Sequence, residues 1–318
     1  MASLTTLKHK KPTPDISVCI ATFRRPQGLA RLLDSLQRLS GVDDFTLEIV
    51  IVDNDAAETA RPVVETVQST YSYQLNYCVE PRQNIAHARN CCVQVARGTW
   101  VAFIDDDETA EQNWLAAYWH ILTQNPGDGY FGPVLPCLEQ AAPAWMDKDI
   151  LLGWPRYPTG MRLLTKDTNT GNAFIRRSWF DTHTFDPRFG LTGGEDSELF
   201  ARMSDAGAVF YWCEEAVTHE HYPLERVCFR WLLQRAFRCG MTYTYIHKIR
   251  RPRFVQHVLG MVKAVGGICI FVLILPFDML RGRAYGARRL MRIGVQIGHI
   301  WSFLNLTYEE YKFFSSSD

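Results

Sequence analysis

The sequence predicts an α/β protein built on a doubly wound, mostly parallel sheet, followed by a helical, membrane-associated C-terminal extension. Three observations carry this expectation. Short apolar, β-favouring runs alternate with stretches of helical periodicity over the first 105 residues, the pattern of parallel strands joined by crossover helices. Two of those runs pass straight into acids: residues 47–52 into Asp53 and Asp55, and residues 101–104 into Asp105-Asp106-Asp107-Glu108. Open α/β sheets bind ligands at that carboxyl end. Charge is also uneven although the total is zero: residues 1–218 hold 19 Lys and Arg against 28 Asp and Glu, whereas residues 219–318 hold 15 against 6.

The elements follow in order. Residues 16–21 (ISVCIA) form the first expected strand, ending at Thr22-Phe23-Arg24-Arg25-Pro26. Leu29, Leu32, Leu33, Leu36 and Leu39 then recur at helical spacing. Residues 47–52 (LEIVIV) are a second buried strand and 73–79 a third, after which Asn84-Ile85-Ala86-His87-Ala88-Arg89-Asn90 reads as loop into helix. Residues 101–104 are apolar on both faces, like a strand inside a parallel sheet. A helix is expected from Asp107, with that acid as its cap and Trp114, Leu115, Tyr118, Trp119 and Leu122 on its core side. Residues 131–134 look strand-like, and a stretch through 170–175 leads to a second acidic site, Gly193-Gly194-Glu195-Asp196-Ser197-Glu198. That site opens a helix ending at Gly207; 209–212 is a short strand, followed by Val217-Thr218-His219-Glu220-His221.

At 318 residues, with 47 % hydrophobic and 21 % charged side chains, the chain can bury a full core, and wholesale disorder is excluded. The nine cysteines, odd in number and mostly in apolar runs without a CxxC pair, read as reduced core thiols of a cytosolic protein. The lead-in MASLTTLKHKKPTPD has no apolar core of the kind a secretory signal carries. The last hundred residues differ: a basic amphipathic helix over 229–246 precedes 258–277, twenty residues with one charge, Lys263. That length reaches the roughly 20 residues a spanning helix needs, although Gly266, Gly267 and Pro276 weaken it. Arg281, Arg283, Arg288, Arg289 and Arg292 follow, then a further apolar stretch to Leu306. Apolar helices flanked by arginines fit an anionic cytoplasmic leaflet; a nucleic-acid partner would explain the arginines but not the apolar run.

Three consecutive carboxylates repel one another unless a cation or solvent relieves them, and a helix cap uses only one. An all-oxygen acidic cluster suits Mg²⁺ or Mn²⁺ rather than zinc. No GxGxxG follows the first strand and no GxxxxGK[ST] occurs, so neither a dinucleotide fingerprint nor a P-loop is present. A metal on Asp105 or Asp107 would hold a diphosphate instead. Asp53 would then accept from a base or ribose, Arg89 would meet base or phosphate, and the Glu195-Asp196 pair would supply a general base.

ISVCIATFRRP, IVDNDA, NIAHARN, FIDDDE and GGEDSELFARM, in this order and at these intervals, resemble the GT-A-fold glycosyltransferases of family 2 over about residues 15–225. DxD alone is common by chance; five strings in register are specific. The resemblance implies an inverting, nucleotide-sugar-dependent hexosyltransferase with a GT-A fold. It places Thr22, with Arg24 beside it, at the nucleotide base, Asp53 on the base, and Arg89 in the nucleotide pocket. Asp105 lies nearer the ribose, Asp106 is the variable middle of the DxD, and Asp107 is the metal ligand. Asp196 is the catalytic base, with Glu195 shaping the acceptor site. The family often adds a His ligand to the metal after this motif, for which His219 and His221 both qualify. IVDNDA departs from the family's usual Gly-Ser after the acid. Residues 226–318 resemble the membrane-associated tails of bacterial members that build polysaccharides, so a glycan or lipid-linked acceptor at the cytoplasmic side of the inner membrane is expected. A sugar-nucleotide nucleotidyltransferase would share the sheet but carry a Gly-rich, basic first loop, which ATFRRPQG lacks. A non-catalytic nucleotide-sugar-binding protein would not need both acidic sites intact.

Overall fold

The computed structural model describes residues 13–250, 254–304 and 306. Strands β1 (Ile16–Thr22), β2 (Leu47–Asp53), β3 (Gln74–Val79) and β4 (Trp100–Ile104) are joined by helices α1 (Pro26–Gln37), α2 (Arg61–Gln68) and α3 (Ile85–Val95). The chain then forms β5 (Glu108–Ala110), α4 (Trp114–Gln124), β6 (Gly129–Phe131), β7 (Val134–Leu138), α5 (Lys148–Leu151), β8 (Asn172–Arg176), α6 (Glu195–Asp205), β9 (Phe210–Trp212) and β10 (Thr218–Tyr222). Helices α7 (Phe229–Arg250), α8 (Phe254–Arg281) and α9 (Arg283–Phe303) complete it. The main sheet runs β3-β2-β1-β4-β8-β6-β9, and a second sheet runs β5-β10-β7. In the main sheet only β8 is reversed, pairing antiparallel with both β4 and β6.

Strand alternation sends side chains into two cores. Ile49 and Ile51 join the buried leucines of α1 and the aromatic residues of α4, while Val50 and Val52 join α3 and the α6 residues Leu199, Phe200 and Met203. Leu29, Leu32, Leu33 and Leu36 are all fully buried, as their spacing predicts, and Pro26 occupies the helix's first turn, where no partner is needed for its missing N–H. Asn84 caps α3 by accepting from the N–H groups of Ala86 and His87. The aromatic stripe of α4 is core, with Trp114 and Tyr118 fully buried.

Three expectations are corrected. The helix expected from Asp107 starts at Trp114 instead, and Glu108–Ala110 pairs antiparallel with β10. Local propensity cannot register a partner strand from so far along the chain. The single strand expected over 131–134 is two strands in different sheets, broken at Gly132-Pro133, where proline has no N–H for a ladder. All nine cysteines are free, but only Cys19, Cys92 and Cys213 are buried; Cys228, Cys239 and Cys269 are exposed in the C-terminal region.

Helix α7 docks directly on the sheet body: Thr242 donates to the Thr192 carbonyl at 3.4 Å and Arg250 to that of Ala201 at 2.9 Å. Helix α9 packs against both α7 and α8, and a 2.6 Å pair between Arg289 and the buried Asp278 ties α9 to α8. The stretch Val255–Arg281 is long and apolar enough to cross a membrane, and only 6 % of its most apolar window is buried. Of the nineteen exposed large hydrophobic side chains described, sixteen lie from Tyr243 onward, so the exposed apolar surface is concentrated in the C-terminal region. The expected lead-in over 1–12, Arg251 and Arg253 of the basic run, and the tail after Leu306 lie outside the described residues.

Candidate active site

Thr22 pairs with Asp53 and Ile104 with Asn172, so the carboxyl ends of β1, β2 and β4 and the amino end of β8 share one edge of the sheet. The loops leaving that edge meet over it. Thr22 donates its hydroxyl to Asp106 Oδ2 at 2.8 Å, the Phe23 N–H approaches the same oxygen at 3.4 Å, and Arg25 donates to Asp106 Oδ1 at 2.8 Å. A Cβ on Gly28 would stand 2.5 Å from the Asp106 carbonyl, so α1 seats on the acidic loop only because that position has no side chain. Asp106 is therefore buried and holds the first loop; burial pushes its pKa up to about 6 against the pull of Arg25. Asp105 and Asp107 flank it with side chains 39 % and 17 % exposed.

Arg89 joins the two acidic sites. Its side chain is 8 % exposed, and it donates to Asp105 Oδ1 at 2.8 Å and to Glu195 Oε1. Although the burial of Arg89 disfavours its charge, Asp105 and Glu195 more than restore it. Glu195 is buried, with Oε2 unpartnered, and burial pushes its pKa up to about 7 against Arg89. Asp196, partly exposed beside it, accepts from its neighbour Ser197 N–H at 2.6 Å and from Thr170 N–H at 3.3 Å. Both acids sit in the first turn of α6, where the helix dipole favours negative charge. The turn before them depends on Gly194, whose φ is 93° and whose missing Cβ leaves room for the Thr242 methyl of α7.

Asp53 and Arg24, also chosen from the sequence, hold the turn after β2 at the same sheet edge. Asp53 is fully buried and accepts from Asp55 N–H (3.0 Å), Ala60 N–H (2.8 Å) and the Tyr77 hydroxyl (3.0 Å), which fixes the turn after β2. Arg24, at a φ of 53°, pairs with Asp55 at 3.2 Å across the mouth of the same turn.

The structure gives His219 and His221 other partners than the acidic loop. Their alternation puts both on one face of β10; His219 Nε2 lies 3.0 Å from Glu111 and His221 Nε2 lies 3.0 Å from the Thr109 hydroxyl. The His221 backbone N–H donates to the Asp107 carbonyl, 2.8 Å away. The opposite face of β10 instead presents Glu220, directly across from Glu108 in the strand register. Burial raises the pKa of both, with Asp107 among the like charges that add to it.

Sequence reasoning missed Arg25, Glu108, Glu220 and Arg226. Arg226, in the turn between β10 and α7, donates to Asp107 Oδ2 at 2.8 Å, and Arg25 reaches the same oxygen at 2.9 Å. Burial pushes Asp107 up, but the two guanidinium groups outweigh it and hold its carboxyl below the usual range. Arg25 was visible inside TFRRP; nothing local marks Arg226. Among the described residues no three His, Cys, Asp or Glu side chains form a ready metal cage. Mg²⁺-type sites take one or two carboxylates and complete their shell with phosphate oxygens and water. The donor set fits that pattern: Asp107 is an oxygen donor at the cleft, and the buried Glu108 Oε2 beside it has no hydrogen-bond partner.

A family model described as glycosyl transferase family 2 matches residues 17–184. The succinoglycan biosynthesis protein ExoM of Rhizobium meliloti (strain 1021) is 31 % identical over 290 residues, covering 89 % of this chain and 92 % of that protein. Among solved structures, the mannosyltransferase PcManGT from Pyrobaculum calidifontis, in complex with GDP-Man and Mn²⁺, superposes with a TM-score of 0.62 at 15 % identity, covering 92 % of this chain and 88 % of that one. S. aureus TarS 1-349 in complex with UDP gives a TM-score of 0.53 at 13 % identity, with 93 % of each chain covered. At such identities the likeness to these structures is one of fold.

Proposed function

The chain belongs to glycosyl transferase family 2 and has the GT-A fold, and from that premise we propose that it is an inverting hexosyltransferase of polysaccharide biosynthesis. It moves a sugar from a nucleotide-diphosphate sugar to a hydroxyl of a glycan or lipid-linked acceptor. One observation supports this reading: Arg89 binds Asp105 and Glu195 together, which holds the DDD loop beside the start of the helix bearing Asp196.

In the proposed reaction the nucleotide base rests against the Thr22–Arg24 loop and the turn that Asp53 holds, with Asp105 and Arg89 toward the ribose and phosphates. Asp196 takes the proton from the acceptor hydroxyl as that oxygen attacks the anomeric carbon. The bond to the diphosphate oxygen breaks, its electron pair leaves with the nucleoside diphosphate, and attack from the opposite face inverts the configuration. Glu195 and Arg89 keep Asp196 aimed, and orientation of two bound substrates supplies much of the rate. A divalent ion, Mn²⁺ or Mg²⁺, held by Asp107 together with the diphosphate, supplies charge stabilisation for the leaving group. Residues 226–318 form the membrane-association segment, with α8 in or across the cytoplasmic leaflet of the inner membrane and the exposed Arg283, Arg288 and Arg292 of α9 toward anionic headgroups.

A thermal-shift panel of UDP, GDP, CDP, ADP and dTDP tests this, each with and without Mn²⁺. One diphosphate is expected to raise Tm strongly with Mn²⁺, and EDTA to remove the gain. No response to any of them would overturn the donor site. NMR of the product anomeric proton then reads inversion directly.

A further inference from the structure

We infer that Arg226, with Arg25, is a resident counter-ion of Asp107 that the donor's diphosphate draws away, so that the site takes a divalent ion only together with the nucleotide. The inference rests on the donor-site reading above and deepens it. Asp107 Oδ2 is shared by two guanidinium groups, at 2.8 Å from Arg226 and 2.9 Å from Arg25, and its side chain is only 17 % exposed. A bare cation arriving there meets two positive charges within hydrogen-bond reach of Asp107 Oδ2. A diphosphate changes both terms at once. Its oxygens are better partners for arginine than a single carboxylate is, because guanidinium matches phosphate in fork geometry, and they complete the shell of an ion that one carboxylate alone holds weakly.

The location of Arg226 makes it the movable partner. Arg25 is also bound to Asp106 Oδ1 at 2.8 Å, within the loop that seats α1. Arg226 instead lies in the short turn Leu224–Arg226 between β10 and α7, its guanidinium carbon 6.0 Å from the Trp231 ring. Glu220 and Arg235 lie alongside, but Arg235 is committed to the Tyr222 hydroxyl at 2.7 Å and Tyr222 in turn to Glu220 at 2.5 Å. The turn can therefore swing one cation without exposing a second buried charge.

The test measures Mn²⁺ binding by the loss of the free-ion EPR signal, and nucleotide binding by calorimetry, on the full chain. The nucleotide is whichever of UDP, GDP, CDP, ADP or dTDP the wild type binds. Wild type is expected to hold Mn²⁺ at least tenfold more tightly with that nucleotide than alone, and by linkage Mn²⁺ must tighten the nucleotide by the same factor. Arg226→Gln is expected to move the two single-ligand affinities in opposite directions, Mn²⁺ alone tighter and nucleotide alone weaker, each by several-fold. A purely structural role would weaken both. Asp107→Asn is expected to lose Mn²⁺ binding with or without nucleotide. Wild type binding Mn²⁺ equally well alone and with nucleotide would overturn the inference, as would a folded Arg226→Gln with both affinities unchanged. Should Arg226→Gln not fold, the two wild-type affinities and Arg226→Lys, expected to lie between wild type and Gln, decide it. If no nucleotide binds at all, the donor-site reading itself has failed.

Discussion

Replacing Arg89 by methionine keeps most of the side-chain volume and removes the charge that joins the two acidic sites. The loss has two parts. At pH 6 Glu195 is mostly protonated even in the wild type, because burial puts its pKa at about 7. The variant then loses little beyond its hydrogen bonds to Glu195 and to the 39 % exposed Asp105, about 1–2 kcal/mol together. Above pH 7 the two proteins diverge. A carboxyl whose folded pKa is raised contributes stability that is fully present below its unfolded value, here the ordinary 4.5, and that is lost as pH rises through the folded value. In the wild type this loss is complete just above pH 7, whereas without Arg89 the folded pKa climbs further and stability continues to fall. Each added pH unit widens the gap by about 1.4 kcal/mol, so the difference is about 4–5 kcal/mol by pH 9, in line with the cost of breaking a buried ion pair. Urea unfolding at pH 6, 7, 8 and 9 measures it. The double variant Arg89→Met/Glu195→Gln is expected to show no growth with pH, since the carboxyl at position 195 whose ionisation drives it is gone. A gap that stays flat from pH 6 to 9 in the single variant would refute the buried Arg89–Glu195 account.

Other outcomes follow from the same geometry. Asp196→Asn is expected to lower kcat by about 10²–10⁴ while leaving the Kd for nucleoside diphosphate within twofold, as calorimetry would show, because in the proposed reaction the side chain acts on the acceptor proton rather than the donor. Gly194→Ala places a Cβ against the Thr242 methyl at a φ of 93°, and is expected to cost about 2–4 kcal/mol from αL strain and the clash together. Thr242→Ala in that background should recover only the clash, which leaves a measurable remainder in urea midpoints. Leu273→Glu with Phe277→Glu charges two of the most exposed apolar positions of α8. Flotation with anionic vesicles should fall sharply for that variant while its Tm holds; undiminished flotation would remove α8 from the membrane contact.

Much of the fold was legible because its signals are local. The apolar runs 16–21, 47–52 and 101–104 name their strands, and the leucines of α1 name their helix. The change from apolar residues to acids at Asp53 and Asp105 marks the edge of the sheet where loops gather. Residues 108–110 were misjudged because their strand exists only by pairing with β10, and residues 131–134 because a proline divides them between two sheets.

For the site, the sequence by itself determined which acids stand at strand ends and helix starts, since backbone period and burial set those positions wherever the rest of the chain goes. Only the tertiary structure decided the partners. It turned Asp106 inward onto Thr22 and Arg25, set Arg89 between Asp105 and Glu195, paired the histidines of β10 with Glu111 and Thr109, and delivered Arg226 to Asp107 from the far side of the chain. Charge pairing acts over a few ångströms of space and leaves no periodic trace along a sequence, so residues more than a hundred positions apart become neighbours only once the sheet order is known.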